Sequence, residues 1–366
     1  MYEYSHGGNA VFEDGKESVI DLSANINPLG MPEGVKSAII REVANCEFYP
    51  DNFSVKLREK IAEFEKIKAR WIFCGNGASD IIFRLPRAAG AKKVMITAPT
   101  FSDYERSARS FRSEVIRHTL SERDGFILGG DFIEAVHSER PGLVFVCNPN
   151  NPTGKLTEAG LIERLLGCCK QIGAIVAVDE CFLEFAQQPS EYTSKVFLER
   201  YSNLVILKAF TKLFGLPGIR LGYAMCADKT LVDNLYYNGS DWPVSNLAGA
   251  AGMAALDDAE SFIRLTVSYI TEQRTAMESN LARLGYRVFQ SEANYVFLQN
   301  PYPFELHKEL DKMGIRIRSC GNYHGLDGSY YRIAVSQESN NAKLLCAIEH
   351  ISEAYKNNQP ARPIVC

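Results

Sequence analysis

The sequence contains no apolar run that could cross a membrane. A spanning helix needs about 18 consecutive apolar residues, and the longest runs here, such as Leu143–Cys147, have the length of a strand. Residues 1–6 contain neither a basic region nor an apolar stretch, so we expect no signal peptide. These absences predict a cytoplasmic protein with no membrane partner.

Clustered positive charge is also missing. The 40 lysines and arginines stand against 44 acidic residues, for a net charge of −4, and we find no basic cluster beyond Lys92-Lys93. This pattern argues against a nucleic-acid partner. The ten cysteines are scattered without C-x-x-C spacing, so we expect buried thiols rather than disulfides or a metal site.

The order of apolar runs predicts an α/β fold. Between residues 70 and 225, helical stretches alternate with short apolar runs, which is typical of a mostly parallel sheet with crossover helices. These runs are Lys93–Ala98, Leu143–Cys147, Ala174–Val178, Asn203–Leu207 and Leu221–Ala224. The carboxyl ends of such strands usually form the ligand crevice.

The pattern changes after Pro243, where a long helical region and then three strand-like runs predict a smaller α+β domain. At roughly 150 residues per domain, the 366 residues also suggest two domains. We expect residues 1–40 to form an N-terminal arm and part of the small domain, 41–245 the large domain, and 246–366 the C-terminal small domain.

Lys212 is the first candidate for chemistry, because it follows a predicted buried strand and precedes a loop rich in glycine and proline. A lone lysine at such a place is usually a solvent-exposed residue. A partly desolvated lysine can instead lose its proton and attack a carbonyl group. The spacing alone leaves both interpretations open.

Asp179 ends the apolar run that begins at Ile175. A carboxylate at this place either caps the following helix or pairs with a cation bound in the crevice. A protonated pyridine nitrogen is a suitable cation, because a carboxylate partner keeps its electron-withdrawing charge in place.

Two loops could orient a ligand. The segment Asn148–Gly154 places two prolines around two asparagines, which is a turn composition that can also fix an amide side chain. The segment Cys74–Asp80 is rich in glycine and precedes an apolar helical stretch, where backbone N–H groups can bind a phosphate. It matches neither G-x-x-x-x-G-K-[ST] nor G-x-G-x-x-G, so a nucleotide-binding loop is not indicated.

In this order the four motifs resemble those of fold-type I pyridoxal-phosphate enzymes of the aminotransferase class I/II superfamily. The resemblance implies the fold-type I transferase fold, pyridoxal 5'-phosphate as cofactor, no metal, and a homodimer with shared active sites. It implies that Lys212 binds the cofactor covalently and that Asp179 contacts the pyridine nitrogen. The other implied cofactor contacts are Gly77, Ala78, Tyr104 (with Phe101 as the alternative for stacking on the ring), Asn151, Thr211, Arg220 and, from the neighbouring subunit, Tyr49.

Stretches between residues 6 and 335 resemble one branch of this superfamily, the threonine-phosphate decarboxylases of cobalamin biosynthesis, which are close relatives of histidinol-phosphate aminotransferases. They include Ser23–Gly30 and Tyr330–Val335, together with Phe182 where transaminases commonly have tyrosine. The branch implies decarboxylation of O-phospho-L-threonine to (R)-1-amino-2-propanol O-phosphate. The implied substrate contacts are His6, Asn9, Asn27, Arg318, Asn322 and Arg332.

Several alternatives stay open. A guanidinium at Arg332 matches a planar carboxylate, and histidinol phosphate has none, so Arg332 favours the decarboxylase over a histidinol-phosphate-type aminotransferase. Either Arg332 or Arg318 alone could be a solvated strand residue. Phosphoserine differs from phosphothreonine by one methyl group, which is worth only about 1–3 kcal/mol of discrimination. A cofactor-binding regulatory module is a further alternative, but we find no basic helix-turn-helix segment.

Overall fold

The computed structural model describes residues 7–8, 12–13, 16–17 and 19–357. The strands are β1 Phe12–Glu13, β2 Lys16–Glu17, β3 Ile20–Asp21, β4 Ile72–Gly75, β5 Lys93–Ala98, β6 Glu114–Thr119, β7 Leu143–Cys147, β8 Ile175–Asp179, β9 Leu204–Ala209, β10 Gly222–Met225, β11 Arg287–Phe289, β12 Tyr295–Gln299, β13 Ile315–Arg316, β14 Arg318–Ser319 and β15 Tyr330–Ala334. The helices are α1 Glu33–Glu42, α2 Val55–Glu65, α3 Gly77–Ala88, α4 Ser102–Ser110, α5 Asp131–Glu139, α6 Ala159–Ile172, α7 Pro189–Tyr192, α8 Phe210–Leu213, α9 Lys229–Tyr237, α10 Asn246–Leu256, α11 Ala259–Arg283, α12 Leu306–Asp311 and α13 Glu338–Lys356.

Seven strands form the central sheet in the order β4-β10-β9-β8-β7-β5-β6. Every neighbouring pair is parallel except the two pairs that β10 makes. Strands β7 and β8 and most of β9 are buried, because apolar clusters cover both faces of the sheet. The α/β fold with a mostly parallel sheet is therefore confirmed.

A smaller antiparallel sheet follows in the order β11-β12-β15-β14. The strand β13 beside it pairs in parallel with β3, so that Ile315 is opposite Ile20. The Ala334 N–H also donates to the Leu22 carbonyl at 2.8 Å. These bonds attach the segment after residue 19 to the C-terminal part of the chain and carry it towards the edge of the central sheet.

Two expectations from the sequence, on membrane-spanning helices and on cysteines, can be compared with the structure. Among the described residues, no helix combines the length and the apolar character that a bilayer crossing requires. Eight cysteines in the described part carry free thiols, and six of them are buried as expected, whereas Cys46 is exposed, Cys168 is half-buried and Cys346 is disulfide-bonded. The expectation of thiols throughout is therefore wrong at Cys346.

Strand β10 approaches the start of α3 unusually closely, and Gly222 makes that approach possible. A Cβ atom at Gly222 would lie 2.5 Å from the Ala78 nitrogen and 2.7 Å from the Gly77 carbonyl carbon. Both are backbone atoms, which cannot rotate away as a side-chain end could. The missing side chain at Gly222 thus fixes where α3 begins.

We expect Gly222→Ala to destabilise the protein by about 1–3 kcal/mol, the usual cost of forcing an extra methyl into a packed site. Gly167→Ala is the matched control, because Gly167 lies inside α6 and a Cβ there meets nothing within 4 Å. Alanine in an open helical position should instead stabilise by roughly 0.5–1 kcal/mol. Urea midpoints of the two variants measure this difference, and a Gly222→Ala midpoint at or above that of the unsubstituted protein would contradict the packing argument.

Candidate active site

A cavity of about 530 Å³ opens at the carboxyl ends of the parallel strands, where ligand sites of such sheets usually lie. Its wall combines residues from both sheets and from the segment after β3. The predicted site residues that line it are Ala78, Tyr104, Asn151, Asp179, Thr211, Lys212, Arg220, Arg318 and Arg332. Motifs separated by up to about 250 residues therefore meet at one place.

Lys212 lies in α8, the single helical turn that directly follows β9. Burial lowers the pKa of its ammonium to about 8, and the nearby charges of Arg332 and Arg220 act in the same direction. Among the described residues, no carboxylate lies within 4 Å of the Lys212 Nζ atom to reverse this effect. With a pKa of about 8, roughly a tenth of Lys212 is an uncharged amine at pH 7, and this is the form that attacks carbonyl groups.

Asp179 ends β8 with its carboxylate buried beneath the cavity. Oδ2 accepts a hydrogen bond from the Tyr104 hydroxyl at 2.7 Å, and Oδ1 accepts one from the Cys181 N–H at 3.0 Å. Burial raises the pKa of Asp179, while these bonds and the charge of Lys208 oppose the rise. A cationic group bound in the cavity would lower the pKa again, so the site favours a ligand with a positive charge at this point.

Tyr104 has a different environment from the one expected of a residue that stacks on a ligand. Its ring is buried and stacked on Phe145, with centroids 4.8 Å apart and planes 11° apart. Phe101 lies edge-on to Tyr104 and is half-buried on the cavity wall. Of the two aromatic rings named from the sequence, Phe101 has the more exposed surface in the cavity.

The start of α3 forms an anion site. Gly77 has a positive φ of 78°, and a Cβ atom on it would lie 2.6 Å from the Arg220 Nη2 atom. Only glycine therefore allows the guanidinium to lie against the helix N-terminus, which carries unpaired N–H groups and partial positive charge. Ala78 and Ser79 of the same turn also line the cavity. This combination suits a phosphate group.

Arg332, on β15, is buried, and its guanidinium faces the cavity. It donates to Asn151 Oδ1 at 2.5 Å and to the Ser23 carbonyl at 2.8 Å. With its amide turned to satisfy its contacts, Asn25 accepts from Nε at 3.2 Å. Among the described residues, all of these partners are neutral, so Arg332 keeps its charge available for an anionic ligand.

Asn27 is not part of the cavity wall. Its amide nitrogen donates to the Leu213 carbonyl at 2.7 Å and to the Thr266 hydroxyl at 2.8 Å, and its oxygen accepts from the Leu29 N–H. The side chain is used to fix the segment after β3 against α8 and α11. The structure thus places Asn27 off the cavity wall, and Asn25, two residues earlier, lines the cavity instead; the substrate contact of Asn27 stays a prediction.

The remaining predicted residues are divided between the cavity mouth and other places. Arg318 donates to Asn322 Oδ1 at 2.9 Å and lies over the Tyr323 ring. Tyr49 is 80% exposed, stacks on Trp242 at 4.4 Å and is not on the wall of this cavity. His6 and Asn9 lie outside the described residues.

The sequence missed several residues of the cavity wall, among them Asn25, Cys181 and Tyr323. Cys181 could have been found from its place two residues after Asp179, where the chain leaves the strand. Nothing local distinguishes Asn25 from Asn27, because distant hydrogen bonds to Leu213 and Thr266 hold Asn27 away from the cavity.

Comparison with known proteins places these features in context. The family model described as aminotransferase class I and II matches residues 17–351. A curated protein of Salmonella typhimurium, named threonine-phosphate decarboxylase, is 33% identical over 358 residues, which are 96% of this chain and 97% of that protein. A histidinol-phosphate aminotransferase of Caldanaerobacter subterraneus is 31% identical over 335 residues, 90% of this chain and 92% of that one. The crystal structure of the histidinol-phosphate aminotransferase of Clostridium acetobutylicum has a TM-score of 0.85 at 30% identity and covers 92% of this chain and 99% of that one.

We expect Lys212 to react with acetic anhydride in a pH-dependent way that is half-maximal at about pH 8. The measurement is competitive labelling of protein freed of carbonyl ligands, with peptide masses read over pH 6–11. Lys229 serves as the internal control, because its exposed ammonium pairs with Asp233 and its pKa is raised above 10.5. Half-maximal labelling of Lys212 near or above pH 10.5 would show that the cavity does not depress its pKa.

Proposed function

The chain belongs to the aminotransferase class I and II family, and we propose that it decarboxylates O-phospho-L-threonine to (R)-1-amino-2-propanol O-phosphate. The observation that carries this proposal is the pair of arginines, Arg332 and Arg318, on the wall of the cavity that contains Lys212. A substrate with both a carboxylate and a phosphate matches two separate cations. The product would supply the aminopropanol phosphate of cobalamin biosynthesis, in line with the relative named threonine-phosphate decarboxylase.

The cofactor of the protein is pyridoxal 5'-phosphate, and the cavity fits it. The Gly77 backbone and the Arg220 guanidinium form a phosphate cradle that a Cβ atom would fill. Asp179 is a buried carboxylate suited to a pyridinium nitrogen, and Lys212 is the amine for the aldehyde. When bound, the cofactor draws electrons away from the α-carbon of an attached amino acid. We assign Asn151 to the ring hydroxyl and Thr211 to the phosphate, and favour Phe101 over Tyr104 for the ring face.

The residues of the chain then determine which bond breaks. Arg332 would hold the substrate carboxylate by exchanging some of its present N–H bonds to neutral partners for bonds to the ligand, which would set the direction of the carboxylate. Decarboxylation would require the bond between the α-carbon and the carboxylate to be aligned so that its electrons can pass to the cofactor, and Arg332 is the residue that would hold this alignment. Lys212 Nζ would hold the proton that the α-carbon receives in place of the lost CO2. Tyr104 would keep Asp179 in place through its hydroxyl throughout.

The substrate phosphate would bind at the mouth of the cavity. Arg318 supplies the charge and Asn322, held by Arg318 through a hydrogen bond, lies beside it. His6 and Asn9 remain predictions for the same group. Asn25 is our replacement for Asn27 among the substrate contacts, since it lies beside Arg332.

A histidinol-phosphate-type aminotransferase is the second candidate, supported by relatives such as the Caldanaerobacter protein. Arg332 separates the two reactions less well than the sequence argument supposed, because an aminotransferase also binds the carboxylate of an oxo acid. The products do separate them, because only decarboxylation releases CO2. Phosphoserine is a competing substrate for the same site, and a rate comparison with phosphothreonine decides between them.

We also propose a homodimer in which Tyr49 reaches the cofactor phosphate of the other subunit. Phe48, Tyr49 and Trp242 form an exposed aromatic patch on the described surface, and a patch of this kind is typical of an interface. Within its own subunit Tyr49 does not line the cavity.

We expect Arg332→Ala and Arg318→Ala each to lower kcat/KM on phosphothreonine by tens to thousands of fold, because losing one partner of a desolvated charge pair costs about 2–5 kcal/mol. Arg318→Ala should also reduce the preference for phosphothreonine over threonine, whereas Arg332→Ala should leave that preference intact. Arg283→Ala is the control, since this exposed arginine pairs with Glu349 away from the cavity. Unchanged phosphate selectivity in Arg318→Ala would place the phosphate site elsewhere.

A mixed dimer tests the position of Tyr49. One subunit carries Tyr49→Phe and the other carries Lys212→Ala, so only one site keeps its lysine. If Tyr49 crosses the interface, that site receives an unaltered tyrosine and the mixed dimer should show about half the activity of the unsubstituted dimer. Activity no higher than half that of the Tyr49→Phe homodimer would mean that Tyr49 acts within its own subunit.

A further inference from the structure

A group of charged side chains is buried on the side of the central sheet that faces away from Tyr104. We call it the Lys208 cluster, and it consists of Lys208, Glu180, Glu184 and Glu65. The Lys208 side chain is 7% exposed and Glu180 is fully buried. Lys208 Nζ lies 3.3 Å from Glu180 Oε2 and also donates to Glu184 Oε1.

The carboxylates of the cluster are held by further partners. Glu180 accepts hydrogen bonds from the Thr193 hydroxyl at 2.9 Å and from the Ser194 N–H at 2.6 Å. Glu65 accepts one from Tyr223 at 2.5 Å and one from Lys195 at 2.8 Å. The cluster is thus a fully bonded network rather than a single ion pair.

A buried network of this kind contributes little net free energy to folding. Removing charges from water costs several kcal/mol per ion, and apolar residues of the same volume often stabilise a core equally well. None of Lys208, Glu180, Glu184 and Glu65 is on the cavity wall, so none of them is a candidate to contact the cofactor or the substrate. The position of the cluster in the fold suggests another role.

Lys208 connects the two strand ends that carry the site. It lies on β9, four residues before Lys212, while Glu180 directly follows Asp179. The same strands are neighbours, with Asp179 opposite Leu207 and the Glu180 N–H donating to the Leu207 carbonyl at 3.0 Å. The Lys208 charge also acts to lower the pKa of Asp179 against the larger effect of burial.

We propose that Lys208 is a positioning residue, whose ion pairs with Glu180 and Glu184 lock the ends of β8 and β9 and so set the orientation of the cofactor between Asp179 and Lys212. The inference requires the cofactor of the family but not the substrate proposed above. A displacement of about 1 Å at such a site can cost on the order of a hundredfold in rate.

The test compares three variants of the cofactor-loaded protein. Lys208→Met removes the cation and leaves buried carboxylates unpaired, Lys208→Arg keeps the cation, and the triple variant Lys208→Met/Glu180→Gln/Glu184→Gln removes all three charges. Thermal unfolding of the cofactor-free form measures stability. Visible circular dichroism of the bound cofactor, recorded without substrate, measures its orientation, and kcat and KM are taken for whichever reaction the unsubstituted protein catalyses.

We expect Lys208→Met to alter the visible circular dichroism and to lower kcat by about 10- to 100-fold, with a smaller change in KM. Lys208→Arg should keep the dichroism and the kcat of the unsubstituted protein. The triple variant should regain thermal stability, but its dichroism and kcat should stay altered. Recovery of dichroism and kcat in the triple variant would overturn the proposal, because the cluster would then be only structural.

If Lys208→Met does not fold, the triple variant alone decides. The dichroism is recorded without substrate. An aminotransferase product would therefore contradict the proposed decarboxylase without affecting the test of Lys208.

Discussion

The site depends on Asp179 and Lys212 lying at neighbouring strand ends, both desolvated, without forming an ion pair within 4 Å of each other. An ion pair between them would raise the pKa of Lys212 and would occupy the carboxylate that a cationic ligand needs. Their separation follows from the strand alternation, which places Asp179 towards Tyr104, and from the helical turn of α8, which carries Lys212 past the strand end. A buried carboxylate and a desolvated amine held apart in this way suit a ligand that has a cationic group at one point and an aldehyde at another.

The rest of the cavity is organised around anions. Arg220, whose guanidinium lies beside the start of α3, lines it together with Arg332 on β15 and Arg318 on β14, and these two strands belong to the smaller sheet. Together with Lys212 they concentrate positive charge, which is why Arg332 and Arg220 help to lower the pKa of Lys212. A bound phosphate and carboxylate would offset that repulsion.

Much of this arrangement could be predicted from local sequence, because the carboxyl ends of neighbouring parallel strands lie at the same edge of the sheet. Lys212, Asp179, Asn151 and the start of α3 lie around one cavity, as expected. The bounds of β5, β7, β8, β9 and β10 lie within one or two residues of the predicted runs. Local sequence could not show which of Asn25 and Asn27 faces the cavity, since hydrogen bonds to Leu213 and Thr266, about 190 and 240 residues away, decide it. The stacking of Tyr104 on Phe145 and the burial of Lys208 are likewise long-range outcomes.

The fate of the α-carbon tests the central claim most directly. The substrate is phosphothreonine labelled with ¹³C in its carboxyl group, the solvent is D2O, and the protein is loaded with pyridoxal phosphate. The account predicts that all consumed label appears as ¹³CO2, and that the aminopropanol phosphate keeps its original α-hydrogen and gains one deuterium at the same carbon. A keto acid that retains the ¹³C label and has lost the α-hydrogen would contradict the decarboxylase and establish transamination.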